Sequence, residues 1–358
     1  MLEGIRIIEL EGLGPGPFAA MMLADLGADV IVVHRPSSPH HLMPEQNIID
    51  RGKRSIILDL KNKDDLANMK KLIATADGLI EGFRPGVMEA LGLGPEILHK
   101  DHPGLVYGRM TGWGQSGPKA KDAGHDLNYI ALSGALWYAS SAGTPPFTPP
   151  TLAGDIGGGA LYLVAGILAG LLKAQNTGKG TVVDAAIVDG SAHMMNLLMS
   201  TQAAGLLSPN RGESFLDGPP WSRCYACADN EWISVQCLEP KFYAVFIEKL
   251  DLKDDPDFNQ QMDQSAWSKM TATLEQLFSQ HPLKHWQEFF ENSDACVAPV
   301  YRPQESNKHP HIAERDIWFK VNQQLQARPA PRFDGQIQKP KPSPRRGEHT
   351  QEILNSIL

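Results

Sequence analysis

Cysteine is scarce in this chain, four residues in 358, too few for the disulfide framework of a secreted scaffold. A reducing, cytoplasmic setting is the expectation. The first residues, Met1-Leu-Glu-Gly-Ile-Arg, lack a basic stretch followed by an apolar one and run straight into strand-like sequence, so no secretory signal is expected. Long apolar runs are also wanting: the longest, 160–172, holds Gly166 and Gly170 and stops at Lys173, short of the ~18–20 residues that span a bilayer. Membrane insertion is therefore not expected. Positive charge is in deficit, 33 Lys and Arg against 41 Asp and Glu, which argues against nucleic-acid binding, where cations must neutralise phosphates. Neither G-x-x-x-x-G-K-[ST] nor H-E-x-x-H occurs, which removes P-loop and zincin chemistry.

What is present is an ordinary globular composition, 42% hydrophobic and 21% charged, in a chain long enough for two domains. Residues 4–10 read as a buried strand, the following glycine-proline turn leads into a helix, and 28–33 reads as a second strand. Further strands at 54–60, 78–80, 105–109 and 181–187, with helices at 64–76 and 152–175, predict a mostly parallel, doubly wound, Rossmann-like α/β domain. A methionine-bearing helix is expected over 191–206. Beyond it a hairpin at 223–228 and 231–237 and helices at 241–250 and 266–279 predict a smaller α+β domain, and 348–358 reads as a terminal helix.

The turn Gly14-Pro15-Gly16-Pro17-Phe18-Ala19 fits the dinucleotide pattern G-x-G-x-x-A, yet its two prolines remove backbone N–H groups that a pyrophosphate needs. His34-Arg35 replaces the acid that would hold a ribose diol, so a nicotinamide cofactor is disfavoured while a phosphorylated ribose still fits. Arg35, Arg51, Lys53, Arg54, Lys61 and Arg84 form a basic set able to meet phosphates. Arg35 and Arg84 are favoured because each closes a βα loop, where such sheets bind ligands. Cys224-Tyr-Ala-Cys227 lacks a second C-x-x-C and is read as packing, with no metal site expected. Asp189, Ser191 and His193 hold triad letters on one short segment without G-x-S-x-G, so a serine hydrolase is not expected. Two segments carry the chemistry: 124–129 (GHDLNY) and 154–159 (GDIGGG) each open an apolar helix with a titratable side chain, His125 and Asp155. A helix N-terminus disfavours imidazolium and leaves His125 available as a base; for Asp155 the bland alternative is an N-cap.

Taken together, LEGIRIIELEGLGPGPFAAMMLADLGADVI, IEGFRPGVMEALGLGP, RMTGWGQSGPKAKDAGHDLNYIALSG, GDIGGG, GKGTVVDAAIVDGS, NSDACVAPV and PAPRF resemble the class III CoA-transferase superfamily of CaiB/BaiF type, in its α-methylacyl-CoA racemase branch. The resemblance implies an interlocked homodimer whose large domain, 1–190 plus 326–358, is made from both chain ends. A linker helix region, 191–222, would lead to the small domain, 223–312, and 313–325 would return to the large one. It implies an acyl-CoA thioester substrate, with coenzyme A part of that substrate and no further cofactor. Arg35, Leu58, Asp59, Leu60, Lys61, Gly82, Phe83, Arg84, Gly124, Leu127, Asn128 and Tyr129 would line the CoA and thioester site. His125 and Asp155 would be the two bases, with Asp126 beside them and Glu239 supplied by the other subunit. Ala90 stands where relatives often carry arginine.

A racemase must take an α-proton from one face of a carbon and return one to the other, which requires two flanking acid/base groups. Neutral His125 would serve the S-isomer as base while protonated Asp155 delivers a proton. Keeping Asp155 protonated near neutrality requires a pKa raised by about 3. Desolvation would raise it and a helix N-terminus would lower it. The N–H of Asp126 is a candidate donor to the enolate oxygen. Met194, Met195 and Met199 beside Met110 suit either an adaptable acyl surface or core packing. The alternatives are a CoA-transferase that uses Asp155 as nucleophile and a catalytically silent acyl-CoA-binding protein.

Overall fold

The computed structural model describes residues 1–37 and 46–357. The chain forms two compact units: Met1–Leu136, Thr148–Met195 and Phe319–Leu358 make the first, Trp137–Phe147 and Asn196–Trp318 the second. The first unit thus takes up the chain again at Phe319, and the short segment Trp137–Phe147 leaves it.

Six parallel strands build the first unit: β1 (Arg6–Leu10), β2 (Asp29–His34), β3 (Arg54–Ile57), β4 (Gly78–Glu81), β5 (Val106–Thr111) and β6 (Thr181–Ala186). Their order is β3-β2-β1-β4-β5-β6, so the direction of winding reverses between β1 and β4. Successive side chains point to opposite faces: Ile7 packs in one core with Val30 and Val106, and Ile8 in another with Ile31, Leu79 and Tyr107. A sheet buried on both faces explains the near-continuous apolar strands.

The helix Pro15–Asp25 starts with proline, whose missing N–H costs nothing at that position, and buries Ala19, Ala20 and Leu23. Lys63–Ile73 is capped by Asn62, whose side chain accepts from the N–H groups of Asp64 and Asp65. The single helix expected over 152–175 divides: Leu152–Ala160 winds as a π-helix and Leu161–Thr177 as an α-helix. This run of 26 residues is long and apolar enough to cross a membrane, more than the sequence reading allowed. Here Leu163, Val164, Ile167 and Leu171 dock it on the sheet. The C-terminal turn lies along β3, with Gly347 N–H donating to Ser55 Oγ (2.7 Å) and Ile57 N–H to Thr350 Oγ1 (3.2 Å). It leads into the helix Thr350–Ile357, whose Ile353 is fully buried. An edge strand is thereby covered. Leu358, at the end of the expected terminal helix, lies outside the described residues.

The second unit carries an antiparallel sheet of β7 (Ser222–Ala226), β8 (Trp232–Gln236) and β9 (Val297–Val300). The expected hairpin is there; β9 was not read because a four-residue strand with a proline carries little signal. Pro240–Lys249, Trp267–Phe278 and Leu283–Phe290 enclose a core of Trp221, Tyr225, Phe246, Phe278 and Trp286. The expected helix over 191–206 is replaced by Ile187–Met194, a short Asn196–Met199 and a single 3-10 turn at Gln202–Ala204. The return segment 313–325 is no plain linker: Trp318–Val321 and Gln324–Ala327 pair as a two-stranded ribbon.

Candidate active site

A crevice of about 540 Å³ opens beyond the carboxyl ends of β1 to β4, where the winding reverses. Its walls include Arg35, Leu58, Asp59, Leu60, Lys61 and Phe83. A smaller hollow of about 230 Å³ is walled by Gly82, Phe83, Arg84, Gly124, His125 and Tyr129. Phe83 borders both. Its loop is fixed from below, since Phe83 N–H donates to Glu81 Oε2 (2.7 Å) and Arg109 Nε to Glu81 Oε1 (3.0 Å). Of the residues expected at the site, Asp126, Leu127, Asn128, Asp155 and Glu239 are not among these walls. Leu127 is exposed, and Asn128 Oδ1 accepts from His125 N–H at 3.0 Å, closing the helix start.

Sequence folds the two chemical segments together. His125 is the N-cap of the helix Asp126–Leu132, and Asp155 lies in the π-helical turn. Asp126 joins them: its Oδ1 accepts from the N–H groups of Gly154 (3.0 Å) and Asp155 (2.8 Å). Glycine is required there, because a Cβ on Gly154 would meet Asp126 Oδ1 at 2.4 Å. Tyr129 packs edge-on against Trp113, 4.7 Å between ring centres, and its hydroxyl donates to the Gly124 carbonyl. Gly112 and Gly124 leave room for that ring. On the other side, a Cβ on Gly14 would stand 3.6 Å from Asp155 Oδ2, so the glycine-proline turn abuts the acid.

The Asp155 carboxyl is pushed up from 3.8 to about 6, first by burial and second by the negative charge of Asp126, against the pull of His125. Burial is thus the largest cause of the rise. The result is a carboxyl that titrates around 6, short of the rise of about 3 that holding it protonated near neutrality would take. The same environment raises Tyr129, by burial and by the charge of Asp155. Glu239 belongs to the second unit, exposed at the start of Pro240–Lys249.

Arg35 and Arg84 are exposed. Three other members of the basic set are committed elsewhere. Arg51 pairs with Asp25 at 2.5 Å, Arg54 with Asp29 at 2.6 Å, and Lys53, fully buried, lies 2.6 Å from Glu9 Oε2 and 3.1 Å from Asp50 Oδ1. They sit toward the amino end of β3, away from the crevice, and hold the fold. Sequence reasoning missed Glu11 and Arg346. Glu11 walls the crevice, and Arg346 Nη2 reaches its Oε2 at 3.0 Å. Burial raises Glu11, but hydrogen bonds with His34, Arg346 and the Arg35 N–H more than offset this and hold it well below the carboxylate range. No local signal could reveal a pair 335 residues apart.

The remaining motifs resolve plainly. Ser191 is buried, while His193 Nδ1 lies 2.7 Å from the Tyr162 hydroxyl, so these residues form no triad. Burial pushes the Cys227 thiol to about 11 and Cys237 to about 12, as packing residues, whereas Cys224 is exposed and the reading of it as packing does not hold. Met110 belongs to the core, and Met194 covers Gly157.

A search against known proteins finds the chain 42% identical to human α-methylacyl-CoA racemase, over 99% of this chain and 93% of that protein. Its mouse counterpart is 40% identical over 99% and 92%. Among solved structures, a CaiB/BaiF family protein from Brucella suis superposes with a TM-score of 0.84 at 25% identity, covering 99% of each chain. With the family profile matching residues 2–350, the chain belongs to CoA-transferase family III.

Proposed function

We propose that the protein is an α-methylacyl-CoA racemase, an isomerase that interconverts (R)- and (S)-2-methylacyl-CoA thioesters by 1,1-proton transfer. The observation that carries this reading is a histidine and a carboxyl tuned to about 6 opening two adjoining helical segments, tied together through Asp126. The similarity to the human and mouse racemases along the whole chain supports it.

In this reading CoA lies along the crevice with Arg35 and Lys61 toward its phosphates, passes Phe83 and Arg84, and brings the thioester to His125. His125 takes the α-proton of the S-isomer, and the C–H electron pair moves into the thioester carbonyl as an enolate. The N–H of Asp126 donates to that oxygen. Protonated Asp155 then delivers its proton to the opposite face. The pair emerges with its proton moved from Asp155 to His125, ready for the reverse reaction. Coenzyme A enters as part of the substrate, and these steps require no other cofactor. The working unit is a homodimer, with Glu239 placed near the histidine of the other subunit. Four free thiols fit a reducing cytoplasm.

Incubation with (S)-2-methylacyl-CoA in deuterium oxide, followed by NMR, tests the reading: epimerisation with α-deuterium uptake is expected. His125→Ala should stop inversion yet keep slow exchange with retention on the R-isomer, and Asp155→Asn the converse on the S-isomer. Losing one acid/base group should cost about 10²–10⁴-fold in inversion. Transfer of CoA to a free acid without α-deuterium would instead identify a transferase with Asp155 as nucleophile.

A further inference from the structure

Arg346 sits on the C-terminal turn that lies along β3, and its guanidinium reaches the carboxyl ends of β1 and β2. Nη1 and Nη2 meet the two oxygens of Glu11 at 2.5 and 3.0 Å, a forked, charge-assisted pair. Nη2 also donates to the backbone carbonyls of Arg35 (2.5 Å) and Ser37 (3.2 Å). The Arg346 side chain is only 12% exposed and Glu11 only 18%, so the pair is a built part of the crevice wall. Arg35, in contrast, is 61% exposed, and its Nε is 3.8 Å from Glu11 Oε2.

We infer that Arg346 is a positioning residue that sets specificity for a phosphorylated ribose: it fixes the turn bearing Arg35 and cancels the charge of Glu11, so that the long 3.8 Å pairing of Arg35 with Glu11 gives way to a phosphate. The inference rests on the acyl-CoA reading and deepens it. Without Arg346, Glu11 would keep the Arg35 N–H (3.1 Å) and the His34 ring, 3.4 Å from its Oε1, and would repel phosphates and draw the Arg35 guanidinium toward it. With Arg346 in place, the Glu11 acceptors are occupied and the local charge at the mouth is positive. The turn is held by bonds to two carbonyls, so Arg35 is presented from a fixed backbone.

Calorimetric titration with free CoA and with 3′-dephospho-CoA tests this without requiring turnover. The native protein should prefer CoA. Arg346→Gln should weaken CoA binding by about 10- to 100-fold, the value of a charge-assisted hydrogen bond, and dephospho-CoA binding much less. In turnover assays the loss should fall on KM rather than kcat. Arg346→Lys should keep part of the preference, and adding Glu11→Gln to Arg346→Gln should restore much of it by releasing Arg35. Equal weakening of both ligands, unchanged affinity, or no restoration in the double variant would overturn the inference. Should Arg346→Gln fail to fold by circular dichroism, Arg346→Lys carries the comparison: it should weaken CoA more than dephospho-CoA, and equal weakening of the two would overturn the inference. Failure of the racemase reading would register separately, as absent α-deuterium uptake by a native protein that still prefers CoA.

Discussion

At the scale of single residues, the proposed chemistry turns on how Asp126 and Asp155 share one region. Asp126 binds the backbone of Asp155 with one carboxylate oxygen, while its charge disfavours ionisation of the Asp155 side chain. Replacing Asp126 with Asn retains an oxygen able to accept those N–H groups and removes the charge. The Asp155 pKa should then fall from about 6 toward its ordinary 3.8. In the proposed mechanism both directions of racemisation need one proton on the His125/Asp155 pair, so both substrates should give profiles with the same limbs. In Asp126→Asn the acid limb of kcat/KM should move to lower pH for both epimers. A limb that stays or rises would remove the electrostatic role of Asp126. The two segments stand out in sequence because GHD and GDIGGG each put a titratable group near the head of an apolar segment. The ion pairs of Arg51, Lys53 and Arg54 do not, because a cation's partner is set by strand order and not by its neighbours in the chain.

At the scale of elements, strands were readable wherever burial on both faces produced a β-branched run. Helix boundaries were less readable where glycine sets them. In the segment 154–159, Gly158 lets the π-helical turn approach Ile187–Met194. A Cβ there would meet Ser191 Oγ at 2.3 Å, Ser191 N at 2.8 Å and the Ile187 carbonyl at 3.0 Å. Two of those atoms are backbone and cannot rotate away. Gly158→Ala should therefore push the turn outward and cost about 1–3 kcal/mol of stability, the usual price of overpacking, measurable by urea unfolding. Because Asp155 rides on that turn, racemisation should fall further than stability alone accounts for at temperatures where the variant stays folded. Full activity in a destabilised variant would mean that the turn tolerates displacement. The sequence pattern made a helix of the whole run because its apolar spacing continues through the glycines; only the close neighbour at 187–191, some 30 residues on, determines the wider winding.

For the whole molecule, the decisive feature is a helix with two apolar faces. Leu161–Thr177 buries Leu163, Val164, Ile167 and Leu171 on the sheet, yet Leu161 and Leu172 on the far side are 44% and 60% exposed, with Ala165 and Ala169 between them. Spacing of three to four residues makes these a continuous stripe. Leu132 and Leu152, at 62% and 60% exposure, add to the apolar surface of the same unit. A helix apolar all round is stable in water only when both faces are covered, so a second copy of the chain should cover this one. Light scattering at micromolar concentration should give the mass of two chains. Leu161→Glu combined with Leu172→Glu should shift it toward one chain while leaving the sheet-facing core intact by circular dichroism. If the proposed sites are shared between subunits, that variant also loses turnover. Mixing separately inactive His125→Ala and Glu239→Ala chains should then restore part of the activity, since one of the two sites in a mixed dimer would receive both native residues. A fully active single chain would refute the dimer. An active dimer with no recovery on mixing would instead confine each site to one chain.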